Sequence, residues 1–208
     1  MTPAPPKDST IINICIIPSD EVGKQCVGLS QSLESPGTAF VLDGVSKFAH
    51  MTVFMARFTD DNIPKVVAAA QQALVGSQPF LCTHTGYFMT AGRYLEASYR
   101  KSGEFMNLHS TLIDTLKPLR SSPGLPFEEG YFTPYTDEQR HNAETTGYDL
   151  AYGLYRPHIT LTRYKEDQVP EIFPGFAPAQ LNFQCHKVCV FKADNNGAVY
   201  EQLAEINL

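Results

Sequence analysis

The sequence predicts an α+β protein with two related lobes, each an antiparallel sheet carrying helices, facing each other across a central cleft. Three observations predict it. Strand-like runs rich in β-branched and aromatic residues alternate with amphipathic helical segments along the 208 residues. Each half of the chain holds one strand-like stretch with a histidine two residues before a threonine: AHMTVFMARF, Ala49 to Phe58, and RPHITLTRY, Arg156 to Tyr164. A chain of this length, 43% hydrophobic and 18% charged, also buries a core without disulfides or structural metal. A single bilobal domain is expected over 10–208, behind a frayed tail at 1–9.

The isoleucine-rich run Ile11 to Ile17 reads as a buried strand, ended by Pro18. A helix follows from Asp20 to about Leu33, capped by Ser19 and broken by Pro36 and Gly37. Thr38 to Leu42 and Met51 to Phe58 are strands, separated by a turn at Asp43 and Gly44. Val66, Val67, Ala70 and Leu74 recur at helical spacing within Asp61 to Val75, with Gly76 where a C-cap glycine belongs. Phe80 to Thr85 and Tyr94 to Tyr99 are strands, and Phe105, Leu108, Leu112, Leu116 and Leu119 mark the inward face of a long helix ended by Pro118.

Residues 121–135 are rich in proline and glycine, and a loop of that length suits a lid. Thr136 and Gln139 have capping-box spacing and start a helix reaching toward Tyr152, weakened by Gly147. After RPHITLTRY come strands at Leu181 to Gln184, His186 to Phe191 and Val199 to about Leu203, with a turn at Asp194 to Gly197. One motif strand in each half points to a half-chain duplication.

The formal charge of −6 argues against a protein that holds long nucleic acid by neutralising many phosphates. A small phosphorylated ligand fits the charge balance. The five cysteines, Cys15, Cys26, Cys82, Cys185 and Cys189, sit in apolar patterns as free buried thiols do, which implies a reducing, cytoplasmic location. The apolar run behind the tail is too short to span a bilayer, so neither a signal peptide nor a membrane partner is expected.

Side chains alternate along a strand, which puts His50, Thr52 and Phe54 on one face and Met51, Val53 and Met55 on the other. By the same rule His158, Thr160, Thr162 and Tyr164 share a face. Two imidazoles suit opposite proton transfers near neutral pH, one taking a proton from a nucleophile and the other giving one to a leaving oxygen. Threonine hydroxyls at Thr52 and Thr160 can donate to non-bridging phosphate oxygens. Phe48 and Tyr164 fall on the motif faces and could stack on a base, and Arg156 is in phase with His158, placed to meet phosphate charge; Arg163 is out of phase.

A third His-x-Thr, His109 and Thr111 in LHSTL, lies in helical surroundings, where positions two apart point roughly 200° apart. His109 is therefore read as a helix-surface residue. Cys185, His186 and Cys189 invite a zinc reading, but His186 points away from both cysteines on a strand, so no metal site is assigned. No cofactor fingerprint is present among the glycines.

The segments HMTV, His50 to Val53, and PHITL, Pro157 to Leu161, resemble the paired signatures of the two-histidine phosphoesterase superfamily, which includes bacterial RNA 2',3'-cyclic phosphodiesterases also called 2'-5' RNA ligases. The resemblance implies a bilobal fold with the motif strands facing across a cleft. It implies that His50 and His158 share the acid and base roles, the first toward the leaving oxygen and the second toward water, and that Thr52 and Thr160 bind phosphate. The expected activity is metal-independent hydrolysis of a 2',3'-cyclic phosphate or a small nucleotide-derived phosphodiester, 2'-5' or cyclic. The expected partner is a small nucleotide or short RNA, taken by a monomer. A non-catalytic RNA- or nucleotide-binding protein on the same fold is the alternative.

Overall fold

The computed structural model describes residues 8–120, 135–165 and 181–208. The loop read as a lid falls outside them except for Tyr135, as does most of the N-terminal tail. The chain opens with β1 (Ser9–Ile16), α1 (Asp20–Ser32), β2 (Thr38–Val41) and β3 (Met51–Thr59). After a 3₁₀ turn come α2 (Ile63–Ala73), β4 (Phe80–Cys82), β5 (His84–Met89), β6 (Tyr94–Tyr99) and α3 (Gly103–Leu116). The remainder is α4 (Asp137–Thr146), β7 (His158–Tyr164), β8 (Phe183–Cys185), β9 (Lys187–Ala193) and β10 (Val199–Asn207).

Two four-stranded antiparallel sheets carry the fold, ordered β10-β9-β1-β3 and β2-β7-β6-β5, with β4 and β8 as a separate pair. Each sheet holds one motif strand, and β3 and β7 lie against one another. The sheets do not follow the chain halves, however: β9 and β10 from the C-terminal end complete the sheet that β1 and β3 begin, and β7 enters the sheet of β2, β5 and β6. The expected split into two sequential halves is thus replaced by two sheets whose strands interleave along the chain. β1 explains why: six consecutive buried residues need neighbours on both edges, and only β9 supplies the second one.

Each sheet is covered by a helix. α1 starts where the Ser19 hydroxyl accepts the Val22 N–H, and packs on β2 and β7. α3 starts where Ser102 accepts the Phe105 N–H, and packs on β3 and α2. Its inward face, Phe105, Leu108, Leu112 and Leu116, is buried. Each such side chain is worth roughly 1.5–3 kcal/mol, against about 1 kcal/mol for a cap. Packing holds the helix, and the cap sets its first residue.

Three local readings are corrected. The expected strand Phe80 to Thr85 is two strands in different sheets; the chain crosses over at Thr83, whose carbonyl accepts the Arg100 N–H. α4 has the full capping box at Thr136 and Gln139 but stops at Thr146. Gly147 ends it: its φ is +85°, and a Cβ there would lie 2.9 Å from the Ala56 Cβ on β3. His109 is fully buried and not on a helix surface, because it follows Phe105 and Leu108 in phase on the inward face of α3. No helix among the described residues is long and apolar enough to cross a membrane.

Candidate active site

His50 immediately precedes β3, and its Nδ1 lies 3.1 Å from the carbonyl of Phe48, two residues back. His158 opens β7 in the same way, with Nδ1 2.7 Å from the carbonyl of Arg156. A carbonyl can only accept, so both rings carry their proton on Nδ1 and leave Nε2 for other business. The same local geometry is thus built twice.

The likeness extends into both strands. The β1–β3 pairing steps from Cys15 opposite Thr52 to Ile14 opposite Phe54, leaving Val53 as an extra residue. The β6–β7 pairing steps from Glu96 opposite Thr160 to Leu95 opposite Thr162, leaving Leu161 extra. Each is a β-bulge on the residue after the motif threonine, and a bulge reverses the inside–outside alternation beyond it. Phe54, Thr162 and Tyr164, expected on the motif faces, are consequently buried in the core, whereas Met55 and Arg163 turn onto the cleft. Tyr164 is withdrawn as a base-stacking candidate, and Arg163 takes a place that strict alternation denied it.

A cavity of about 720 Å³ opens between the sheets, and His50, Thr52, His158 and Thr160 all line it. Phe48 and Arg156 line it too, as expected. Phe48 stands edge-on to His50 with ring centroids 6.2 Å apart, and the Arg156 guanidinium lies 5.3 Å from the centre of the Phe88 ring. Arg156 is also ion-paired, with Nη1 donating to Glu96 Oε2 at 2.7 Å. The other Glu96 oxygen stands 3.5 Å from His158 Nε2, an ion pair whenever that ring gains its second proton. Across the cleft, Asn13 Nδ2 donates to Thr52 Oγ1 at 3.0 Å, which leaves the threonine's own proton to donate elsewhere.

The two imidazoles differ in their surroundings. Burial pulls the His50 ring below the ordinary histidine value, the nearby positive charge of a protonated His158 pulls it further, and the Phe48 and Gly197 carbonyls offset part of this. The ionisable residues around the cavity are of both kinds, the basic Lys47, Arg156 and Arg163 against the acidic Glu96, Asp149 and Asp194. Such a lining suits a small ligand of one or two phosphates rather than a long polyanion.

The family model of the 2'-5' RNA ligase superfamily matches residues 44–197, which include both motifs and well over half of the chain. The chain belongs to this superfamily. Solved structures agree on the fold. A protein described as a phosphoesterase superposes with a TM-score of 0.65 at 13% identity over 99% of each chain. LigT of E. coli complexed with 3'-AMP gives 0.64 at 14%, over 96% of this chain and 98% of that one. TT0787 of Thermus thermophilus gives 0.62 at 17%, over 95% and 97%. No curated protein matches the sequence.

For this superfamily member, the residues that sequence reasoning missed are Glu96, Asn13, Phe88, Met55 and Arg163. Arg163 and Met55 had no visible signal, because neither bulge carries a glycine or proline. Glu96 had one. A glutamate inside the apolar strand Tyr94–Tyr99 needs a partner when buried, and Arg156, read as a phosphate contact two residues before His158, was a cation within reach of a motif.

Proposed function

We propose that this chain is a phosphodiesterase that opens a 2',3'-cyclic phosphate, or cleaves a small nucleotide-derived 2'-5' or cyclic phosphodiester, by acid–base catalysis from His50 and His158. The observation that carries the reading is the duplicated geometry: two imidazoles, each with Nδ1 on the carbonyl two residues back, and two threonines beside them on one cavity. In the proposed reaction water attacks phosphorus and gives its proton to one imidazole, the bond to a ribose oxygen breaks, and the other imidazole protonates that oxygen. Both protons are accounted for, so no metal is required by this chemistry. Thr52 and Thr160 donate to the non-bridging oxygens.

The surroundings favour an order of roles opposite to the one the resemblance implies. His50, held neutral by burial, suits the base. His158, with Glu96 at its Nε2, suits the acid. A small nucleotide as ligand is in keeping with the cavity, and the related LigT structures hold 3'-AMP and NADP+.

The test is hydrolysis of the four nucleoside 2',3'-cyclic monophosphates in EDTA by the wild type, His50→Ala and His158→Ala, with the product isomer identified. Turnover is expected to survive chelation and to fall about 10²-fold or more in each variant. Full activity in both variants would sink the mechanism. Tight nucleotide binding with no turnover on cyclic or 2'-5' substrates would move the chain to the non-catalytic class.

A further inference from the structure

Both motif strands contain a bulge at the residue after the threonine, and a bulge leaves a carbonyl outside the ladder. A buried carbonyl without a donor is rarely tolerated. The donors here are side chains from the two covering helices. The Val53 carbonyl accepts from His109 Nδ1 of α3 at 2.6 Å. The Leu161 carbonyl accepts from the Ser30 hydroxyl of α1 at 2.6 Å.

The two donors are also satisfied alike. His109 Nε2 accepts the Tyr152 N–H at 2.8 Å, and Ser30 Oγ accepts the Leu42 N–H at 2.7 Å. Each side chain takes one backbone N–H from a neighbouring segment and gives one proton to a bulge. Both are fully buried, and neither lines the cavity. On the β3 side a second donor reinforces the first: Tyr155 stacks on the His109 ring, with centroids 3.9 Å apart, and its hydroxyl donates to the Thr52 carbonyl at 3.2 Å. Consecutive carbonyls of β3 are thus held by one stacked pair.

We infer that His109 and Ser30 are paired positioning residues, each locking the bulge beside one motif threonine and so fixing where that strand's imidazole and hydroxyl point. The inference rests on the phosphodiesterase reading for its kinetic consequence but not for its structural one. Without a bulge, strict alternation would carry Phe54 and Thr162 toward the cleft and turn Met55 and Arg163 away. The bulge therefore decides the cleft's walls two or three residues beyond each threonine. The lock decides whether the bulge keeps one conformation.

The test uses ring signals and turnover together, on Ser30→Ala, His109→Leu and the donor-keeping His109→Asn, with folding checked by circular dichroism. The chain has six histidines, few enough to follow individually by ¹⁵N-edited NMR. Ser30→Ala is expected to shift the His158 ring signals and leave those of His50. His109→Leu should do the reverse, and His109→Asn should restore the His50 signals toward wild type. In Ser30→Ala and His109→Leu, kcat should fall by tenfold to about 10²-fold, with KM changed less than about twofold, because placement is lost and the binding groups remain. Folded Ser30→Ala and His109→Leu proteins with wild-type ring signals at both His50 and His158 and unaltered kcat would overturn the inference, and should His109→Leu not fold, the same result in Ser30→Ala alone would do so. Should the wild type lack turnover altogether, the ring signals still decide the positioning role, and the failure falls on the phosphodiesterase reading alone.

Discussion

On β3 the motif imidazole is hemmed in by Phe48 and the Gly197 backbone and kept neutral by burial, whereas on β7 it faces the Glu96 carboxylate, which Arg156 holds in place. Backbone geometry is shared between the two strands down to the position of the bulge; electrostatic setting is not. A reaction with one proton donor and one acceptor needs that difference. Two identical imidazoles in identical settings would have no preferred order of protonation. The fold copies the geometry, and single residues outside the motifs, Glu96 above all, break the tie.

Removing either ring has the largest expected effect. His50→Ala and His158→Ala should each lose about 10²- to 10⁴-fold in kcat, and the double variant little more than the worse single one, because the two act as a unit. Additive losses, measured by single-turnover hydrolysis, would mean that the rings serve separate steps.

Next in size is a difference between the two bulge locks, since His109 titrates and Ser30 does not. Burial holds the His109 ring down to about 4, against an ordinary value of 6.5, and the Lys101 charge adds to this while the Val53 carbonyl opposes it. The unfolded chain takes up this proton first as pH falls, so stability is full above about pH 6.5 and is lost toward pH 4. At 1.36 kcal/mol per unit the loss is roughly 3 kcal/mol. Urea titrations from pH 7 to pH 4 should show that slope, and His109→Asn should flatten it. His50 adds a contribution of the same sign, which the variant leaves behind. An unchanged slope in His109→Asn would show that the β3 lock is not where acid sensitivity resides.

Much of this arrangement was legible in the sequence, and the exceptions have a common cause. The helix at Asp20 with its Ser19 cap, the capping box at Thr136 and both motif strands follow from local chemistry. The convergence of His50, Thr52, His158 and Thr160 on one cavity does not follow from local chemistry; it is what the resemblance of the two motifs implied. What failed was extrapolation beyond a bulge. Val53 and Leu161 look like ordinary strand residues, so alternation carried Tyr164 into the cleft and Arg163 out of it, and the structure reverses both. His109 failed for another reason: the polarity of a histidine outweighed its phase with Phe105 and Leu112, and the carbonyl it serves exists only because of the bulge. The interleaving of the sheets was illegible because it depends on which strand satisfies the second edge of β1, a long-range choice.

A smaller effect sharpens the electrostatic half of the comparison. Glu96→Gln keeps the shape of the side chain and removes the charge that pairs with a protonated His158. With His158 as the acid, loss of this ion pair should alter the alkaline limb of the pH–rate profile and lower kcat on that side. The groups facing that ring are Glu96 from β6, Arg156 on its own approach and His50 across the cleft, so the acid limb, set by His50, should stay in place. Movement of the acid limb instead would assign His158 the base role and restore the order implied by the resemblance.

The smallest expected effect concerns the threonines. Asn13 donates to the Thr52 hydroxyl and so aims that hydroxyl's own proton away from β1, toward whatever acceptor the cavity holds. Asn13→Ala frees the hydroxyl to rotate and removes two hydrogen bonds, to Thr52 Oγ1 and to the Gly197 carbonyl at 3.4 Å; the one to Thr52 is worth about 0.5–1.5 kcal/mol, or about 2- to 10-fold in affinity. Isothermal titration with inorganic phosphate reads this directly. The weakening should vanish on a Thr52→Val background, where no hydroxyl is left to aim, and persist in full on a Thr160→Val background, where the β3 side is intact. Equal weakening on both backgrounds would mean that Asn13 acts through its bond to the Gly197 carbonyl or through its place on β1 between β3 and β9, and not through Thr52.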